Sequence, residues 1–271
     1  DFDVIGTYSD GSMAEVPGPT FTIDDASLGF LDSASGLFTA NGVISGATMV
    51  HVAVPGPGGG ELTADAMLTV RLEDTILGPG VDATVPPLFS GVPIDDPALN
   101  PDLVYPLEGA LMPQNVYPAD VQWLQGVVGD YVRVTIVKPH ITVTAYLAED
   151  GNHHWLVSAP AWRSLAQTDP DDVVTVTATR YVAATAELRQ GAPLTFRFAR
   201  AAVTGSVYYW DVTARRIIRI NDGSGVGEAF MPTPPASADG GDNCVGCHSV
   251  SNDGRYMAGR LGPGRTSVPS S

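Results

Sequence analysis

Apolar and polar residues alternate along most of this chain, and the alternation predicts β-strands. Its period is two residues, as expected for a strand with one buried face. The pattern recurs at 47–54, 66–72, 131–137, 141–147, 173–179 and 194–198. Clusters of Gly, Pro, Asn and Asp separate these segments, and one short helix is predicted, between His154 and Leu165. The pattern therefore predicts an all-β fold.

The spacing of the predicted strands divides the chain into four parts. A first β-sandwich is expected at 1–77, and a Pro/Gly-rich linker at 78–101, where dense prolines favour extended backbone. Seven or so short strands at 102–220 predict a second sandwich, Ig-like or fibronectin-like. Residues 221–271 are expected to form an irregular tail. The predicted fold class is thus all-β, with tandem Ig-like or fibronectin-like β-sandwiches and an irregular C-terminal tail.

Two motifs of the first sandwich carry a family resemblance. They are Tyr8-Ser9-Asp10-Gly11-Ser12 and Gly36-Leu37-Phe38-Thr39-Ala40-Asn41-Gly42. With the strand at 47–54 they resemble the bacterial Ig-like domain, group 2, over residues 1–77. The chain departs from that family at Phe21-Thr22-Ile23, where the family usually has Trp-Ser-Ser. The resemblance implies a stalk or adhesion module at a cell surface, without catalysis.

The tail carries the one strong chemical motif of the chain, Cys244-Val245-Gly246-Cys247-His248. Cys244 and Cys247 are the only two cysteines. Thiols at this spacing reach the two vinyl groups of one haem, and the adjacent histidine then lies under the iron. The sequence therefore predicts haem c attached to Cys244 and Cys247, with His248 as an axial ligand of the haem iron.

Other roles for the two cysteines stay open. A redox pair of the thioredoxin kind opens a helix in an α/β fold, whereas here a Gly/Asp-rich loop precedes the motif and strands surround it. Zinc needs four ligands, and no second Cys pair exists. The main alternative is a local disulfide or a vestige of a haem site, in a protein whose role is structural.

The second axial ligand has several candidates. Met257 follows the motif and Met231 precedes it, and Met is a common haem ligand, although a core position in a strand explains Met257 as well. His153 and His154, in a predicted turn, are candidates for a distal ligand or a surface metal site. Two histidines beside predicted strands are expected to have neither role: His51 and His140. The aromatic residues available for an apolar haem pocket, which core packing explains equally well, are Trp155, Trp162, Tyr208, Tyr209 and Trp210.

The residues after the haem motif carry a second resemblance. Ser251-Asn252-Asp253-Gly254-Arg255-Tyr256-Met257-Ala258 resembles the hairpin of TolB-type β-propeller repeats, in which Asp-Gly makes the turn. Together with the haem motif, it resembles exported proteins of myxobacteria and their relatives that join Ig-like modules, a CxxCH motif and a propeller. The resemblance implies that a propeller would start here. One strand cannot make a blade, so the segment itself is at most the first strand of one.

Net charge and hydropathy limit the classes of binding partner and the cellular location that we expect. Thirty acidic residues against fourteen basic ones give a net charge of −16, which repels nucleic acid and anionic lipid. No apolar stretch is long enough to span a bilayer, and Asp1 opens directly into a strand-like run, so an export signal is expected to have been removed already. Haem attachment to CxxCH is a periplasmic step. We therefore expect an extracellular, cell-surface or periplasmic protein.

No motif of an enzyme is present. The chain has no G-x-S-x-G, and the glycine-rich run at 223–227 lacks a phosphate-loop lysine. We expect a non-catalytic protein whose haem transfers electrons to a redox partner protein. The alternative is a structural surface, adhesion or assembly protein, and exposed edge strands make a homo-oligomer plausible in either case.

Overall fold

The prediction of an all-β fold is confirmed. The computed structural model describes residues 1–115, 118–211, 213–214, 216–222, 224–230, 244–252 and 255–262. Strands account for 48% of the protein and helices for only 8%. The chain forms two compact units, residues 1–114 with 118–200 and residues 115–117 with 201–271. The finer prediction, that the sandwiches are Ig-like or fibronectin-like modules, stays a prediction.

The first unit contains most of the strands and the described α-helix. In chain order its elements are β1 (Ile5–Thr7), β2 (Met13–Glu15), β3 (Thr20–Ile23), β4 (Gly29–Leu31), β5 (Phe38–Ala40), β6 (Gly46–Pro55), β7 (Glu61–Val70), β8 (Leu72–Leu77), β9 (Leu103–Tyr105), β10 (Ala110–Pro113), β11 (Asp120–Trp123), β12 (Tyr131–Lys138), β13 (Ile141–Ala148), β14 (His154–Leu156), α1 (Ala159–Gln167), β15 (Val173–Val182), β16 (Glu187–Gln190) and β17 (Leu194–Ala199). Short 3-10 turns lie at Ala26–Leu28, Pro57–Gly59 and Pro86–Phe89.

A seven-stranded sheet organises this unit. Its order is β10-β17-β15-β12-β13-β8, with β16 also paired to β15. The inner strands are antiparallel, and the two edge strands, β8 and β10, are parallel to their neighbours. Smaller sheets have the orders β3-β6-β7 and β14-β11-β9, and β1-β2 and β4-β5 are hairpins. Alternate residues of the central strands, such as Val132, Val134 and Ile136, are completely buried, because period-two alternation gives the sheet one apolar face.

Helix α1 packs against that apolar face. Ser158 caps its start by accepting a hydrogen bond from the Ala161 amide. Trp162 is buried, with its ring centroid 5.8 Å from that of Phe196 and 4.9 Å from that of Phe198. The helix was expected to begin near His154, but His154–Leu156 is strand β14, because it pairs with β11.

The boundaries of the expected modules differ from those in the structure. Strand β8, at the end of the expected first module, pairs in parallel with β13 of the expected second module. Ser45 also reaches across this boundary, and its amide donates to the Thr168 hydroxyl at 3.1 Å in a buried position. The first expected module and most of the second, up to residue 200, therefore lie in one unit. The sequence does not indicate this, because contacts between distant segments leave no local pattern.

The segment at 78–101, expected to be a linker, is irregular but packed. Val85 and Phe89 are buried with Leu188, and three tyrosines of the large sheet pack around them. The Phe89 ring lies 5.4 Å from that of Tyr146 and makes an edge contact. Ile94 makes an isolated β-bridge with Arg189 of β16, and the two apolar residues anchor the segment to the sheet.

Lys138, the only lysine of the chain, is buried at the end of β12. Its ammonium donates to the carbonyl of Leu165 at 3.0 Å and to that of Thr168, so it satisfies carbonyls at the C-terminus of α1. Burial lowers the pKa of Lys138 from 10.5 to about 8, although the carboxylate of Asp169 acts in the opposite direction.

This pKa predicts a pH-dependent stability. Between about pH 8 and 10.5 the unfolded chain binds more protons at Lys138 than the folded chain does, so the free energy of unfolding rises with pH. Relative to a Lys138→Met variant, we expect the wild type to gain up to about 3 kcal/mol over this range. Urea unfolding of both proteins at a series of pH values measures the difference. A difference that does not change with pH would contradict the prediction.

The described residues of the second unit form two small sheets. Its strands are β18 (Ser206–Asp211), β19 (Arg216–Asn221), β20 (Gly227–Ala229), β21 (Cys244–Val250) and β22 (Met257–Gly262). The first three form a sheet in the order β18-β19-β20, and β21 pairs with β22. The second sandwich was expected to reach residue 220, whereas the units divide after residue 200. Strands β20 to β22 lie where an irregular tail was expected, because each finds a pairing partner within this unit.

Candidate functional site

The CxxCH motif lies on strand β21. This strand pairs antiparallel with β22, with Cys244 opposite Gly262 and Val250 opposite Met257. The register shifts between Gly246 and Ser249, which lie opposite Arg260 and Ala258, so β21 has one residue more than β22 at this point. The extra residue falls at Cys247–His248. Such bulges kink a strand and redirect its side chains, and they are common beside functional sites.

Two hydrogen bonds link the residues on either side of the expected turn between β21 and β22. The Ser251 amide donates to the Tyr256 carbonyl at 2.8 Å, and the Tyr256 amide donates to the Ser251 hydroxyl at 3.0 Å. Asp253 and Gly254, the expected turn residues, lie outside the described residues. The hairpin is present, and the propeller that its sequence resembles stays a prediction.

His248 borders an open cleft of about 740 Å³ within the second unit. The side chain of His248 is half-buried. The residues around it come from β21, the turn that follows it, and the start of β18: Thr204, Gly205, Ser206, Tyr208, Ser249, Val250, Ser251 and Asn252. The volume falls in the range of about 300–1,000 Å³ that is usual for cofactor pockets. Hydroxyl and amide groups dominate the lining, which makes it more polar than most such pockets.

Aromatic packing supports one wall of this cleft. Tyr208 meets Phe230 edge-on, with 5.1 Å between ring centroids. The guanidinium of Arg219 lies 5.8 Å from the centroid of the Phe230 ring and pairs with Glu228 at 2.5 Å. This hydrogen bond from Arg219 lowers the pKa of Glu228. The wall is therefore an ordered part of the β18-β19-β20 sheet.

The structure separates the aromatic residues that were candidates for a haem pocket. Tyr208 lines the cleft beside His248. Trp155 and Trp162 are buried in the core of the first unit, so they serve packing there. Tyr209 is 42% exposed, and Trp210 is half-buried on the same strand. Only Tyr208 of the five therefore belongs to the described lining of the cleft.

Met257 lies close to His248 in the register of the hairpin. It is directly opposite Val250, which lies two residues after His248 and lines the same cleft. His248 itself lies in the bulge, where the alternation of side chains is interrupted. The role of Met257 as second axial ligand stays a prediction. Met231 lies outside the described residues.

Each of the other four histidines is paired with a carboxylate. The pairs are His51 with Asp65 and Asp24, His140 with Asp169, His153 with Glu149, and His154 with Asp120, at 2.7–3.0 Å. The described residues contain no group of three or more His, Cys, Asp or Glu side chains arranged to hold a metal ion. All four imidazoles therefore have a carboxylate partner. These pairs support neither a distal-ligand role nor a surface metal site at His153 and His154.

His51 is expected to titrate above the usual pH range of a histidine. Hydrogen bonds to Asp65 and then Asp24 raise its pKa above 6.5. Because the folded pKa is raised, the pair stabilises the fold below pH 6.5, and this contribution is lost as the pH rises through the folded pKa. We expect NMR titration to show a raised His51 pKa that falls towards 6.5 in an Asp65→Asn variant. An unchanged pKa in that variant would contradict the assignment of its cause.

Comparison with known proteins adds no identification. No protein-family model matches the chain, and no curated protein matches it. The resemblances to the group 2 Ig-like domain and to the TolB-type propeller therefore stay predictions. Among the described residues, no helix has both the length and the apolar character required to cross a membrane.

Proposed function

We propose that this protein is an exported c-type haem protein whose task is electron transfer. The observation that carries the proposal is the motif Cys244-Val245-Gly246-Cys247-His248, which contains both cysteines of the chain and whose histidine borders a cleft of cofactor size. Cys244 and Cys247 anchor the haem by thioether bonds, and His248 ligates the iron.

A haem held at His248 would have much of its surface in water, because the lining of this open cleft is mostly polar. A haem bound here supplies reversible one-electron chemistry at its iron. Tyr208 and Val250 offer apolar contact, whereas Ser206, Ser249 and Asn252 offer hydrogen bonds to polar groups of the ligand. An open, polar cleft leaves the group accessible to a second protein. The net charge of −16 favours a redox partner with a basic surface.

The location follows from the same chemistry. Covalent attachment to CxxCH takes place outside the cytoplasm, so the mature protein works in the periplasm, at the cell surface or in the medium. Recovery of haem-loaded protein mainly from the cytosol would contradict this location.

A structural assembly role is the second candidate, and strand β7 favours it. β7 (Glu61–Val70) is the edge of its sheet, paired with β6 along ten residues. Within the described part of the chain no strand pairs with its other edge. A long unpaired edge is a template for pairing with another copy. In this role the CxxC motif is a local disulfide or a vestige of a haem site, and the protein carries no haem.

One measurement separates the two candidates. The chain is expressed with a signal peptide in cells competent in cytochrome c maturation. A pyridine haemochrome spectrum and the intact mass under denaturing conditions are then recorded. We expect a c-type spectrum and a mass one haem above that of the polypeptide. A mass equal to the bare polypeptide would remove the electron-transfer role and leave the structural one.

A further inference from the structure

The outer face of the β3-β6-β7 sheet carries two methionines beside a histidine. Met49 of β6 and Met67 of β7 are directly opposite each other, and His51 lies two residues after Met49. Residues two apart on a strand share a face of the sheet, and Val50, between Met49 and His51, is buried on the other face. The pairing therefore places two thioethers and one imidazole side by side on the side of the sheet away from the core.

Two carboxylates fix the orientation of this imidazole. Nδ1 of His51 lies 2.7 Å from the Asp65 carboxylate, and Nε2 of His51 lies 3.0 Å from that of Asp24. A histidine that binds a metal almost always donates its other ring N–H to a carboxylate, carbonyl or water, which holds the ring in place. Asp65 meets this requirement. Nε2, on the Asp24 side, is therefore the nitrogen available to an ion that displaces its proton.

An open hollow of about 370 Å³ lies beside these groups. Met49 and Met67 line it together with two acidic residues, Asp24 and Asp25. Met67 is 71% exposed, so a ligand can reach it from solvent. The acidic residues attract a cation to the hollow. Because the lining contains two thioethers, the cation that fits it best is a soft one.

We propose that this face binds Cu(I) through the sulfur atoms of Met49 and Met67 and Nε2 of His51. Thioethers select Cu(I), whereas Zn(II) sites use thiolate, imidazole and carboxylate ligands and Ca(II) or Mg(II) sites use oxygen ligands. Directly opposite residues of a sheet have Cβ atoms about 4.5–5.5 Å apart. A methionine side chain has three rotatable bonds, so both sulfurs can reach one ion.

This site is independent of the haem proposed for the second unit, because all of its ligands lie in the first unit. A metal role for His51 differs from the expectation drawn from its sequence context. The reason is that only the pairing of β6 with β7 brings Met67 beside His51. The ligand set contains one histidine and no cysteine, so it is not one of the clusters of His, Cys, Asp and Glu side chains that hold harder metal ions.

Competition for Cu(I) with bicinchoninate, in the presence of ascorbate, tests the proposal. The parent protein is the full chain with Cys244→Ser and Cys247→Ser, so that no thiol binds copper and no covalent haem absorbs light. We expect the parent to withdraw one Cu(I) ion per chain from the coloured bicinchoninate complex.

Three variants of the parent locate the binding site. Met49→Leu/Met67→Leu should weaken binding by at least about tenfold, because leucine keeps the apolar volume but has no sulfur. His51→Ala should also weaken binding, because it removes the nitrogen ligand. Met13→Leu, at a methionine 68% exposed on another sheet, is the matched control and should bind like the parent.

The other outcomes overturn the proposal. They are the absence of Cu(I) withdrawal by the parent, equal affinity of the parent and Met49→Leu/Met67→Leu, full affinity of His51→Ala, and an equal loss of affinity with Met13→Leu. Displacement of the bound Cu(I) by an equal concentration of Zn(II) would assign the face to a harder cation instead. Far-UV circular dichroism of each variant confirms that loss of binding is not loss of fold.

Discussion

Replacement of Asp130 by alanine is expected to destabilise the first unit by about 3–5 kcal/mol, because it leaves a buried guanidinium without a counter-charge. Asp130 and Arg180 are 6% and 4% exposed in their side chains. One oxygen of Asp130 accepts from Nε of Arg180 at 2.7 Å, and the other accepts from the Ala183 amide at 2.9 Å. Arg180 also donates to the Leu99 carbonyl at 3.1 Å, so the pair ties the segment at 78–101 to β15.

Asp171→Ala is the matched control for this prediction. Asp171 pairs with Arg200, but both side chains are more than two-thirds exposed, and such pairs contribute at most about 1 kcal/mol. Urea unfolding monitored by tryptophan fluorescence measures both variants. A double variant, Asp130→Ala with Arg180→Met, should be more stable than Asp130→Ala alone, because the unpaired charge is gone. Equal effects of Asp130→Ala and Asp171→Ala would contradict the role of the buried pair.

The strands that the sequence predicts best are those of the large sheet. In β12 and β13, one face is buried and the other meets water, so the side chains alternate and the period is visible. The sequence of the edge strand β8 does not indicate which strand it pairs with. Its partner β13 lies far along the chain, and no local pattern in either segment predicts their parallel pairing. The same holds for Val85 and Phe89, whose burial is hidden among prolines.

The burial of Lys138 follows from the alternation of side chains along β12. Val132, Val134, Ile136 and Lys138 follow at period two, which places the only lysine on the apolar face of its strand. A lysine on that face needs acceptors, and the C-terminal carbonyls of α1 provide them. The alternation alone predicts the burial, whereas the acceptors come from a helix that only the fold brings near.

The candidate site also has features that the local sequence predicts and features that depend on the fold. The CxxCH motif is local, so the sequence alone identifies the two candidate attachment residues, Cys244 and Cys247, and the candidate iron ligand, His248. The cleft is not local, because Thr204 to Tyr208 and His248 to Asn252 meet only when the second unit folds. The bulge at Cys247–His248 depends on the register with β22, which no single strand encodes. The pairs of the other histidines with carboxylates likewise join distant segments, as His154 and Asp120 show.

The largest expected effect on the proposed function is the loss of haem when both thiols are removed. A Cys244→Ser/Cys247→Ser variant should have the mass of the bare polypeptide, because no sulfur remains to bond the vinyl groups. Each single variant keeps one thioether and one free vinyl group. We expect its pyridine haemochrome band to lie at longer wavelength than that of the wild type, since the remaining vinyl group stays conjugated with the ring.

His154→Ala is the control for this series, because His154 lies in the first unit and is paired with Asp120. It should leave the haem content and both spectra unchanged, whereas His248→Ala should alter the absorption spectrum of the native protein, in which His248 ligates the iron, and not the pyridine haemochrome, in which pyridine replaces the axial ligands. Circular dichroism establishes that each variant is folded before its haem content is compared. A double Cys variant with as much covalent haem as the wild type would contradict attachment at Cys244 and Cys247. Single variants without a spectral shift would contradict the assignment of one thioether to each cysteine, because each loss must free one vinyl group.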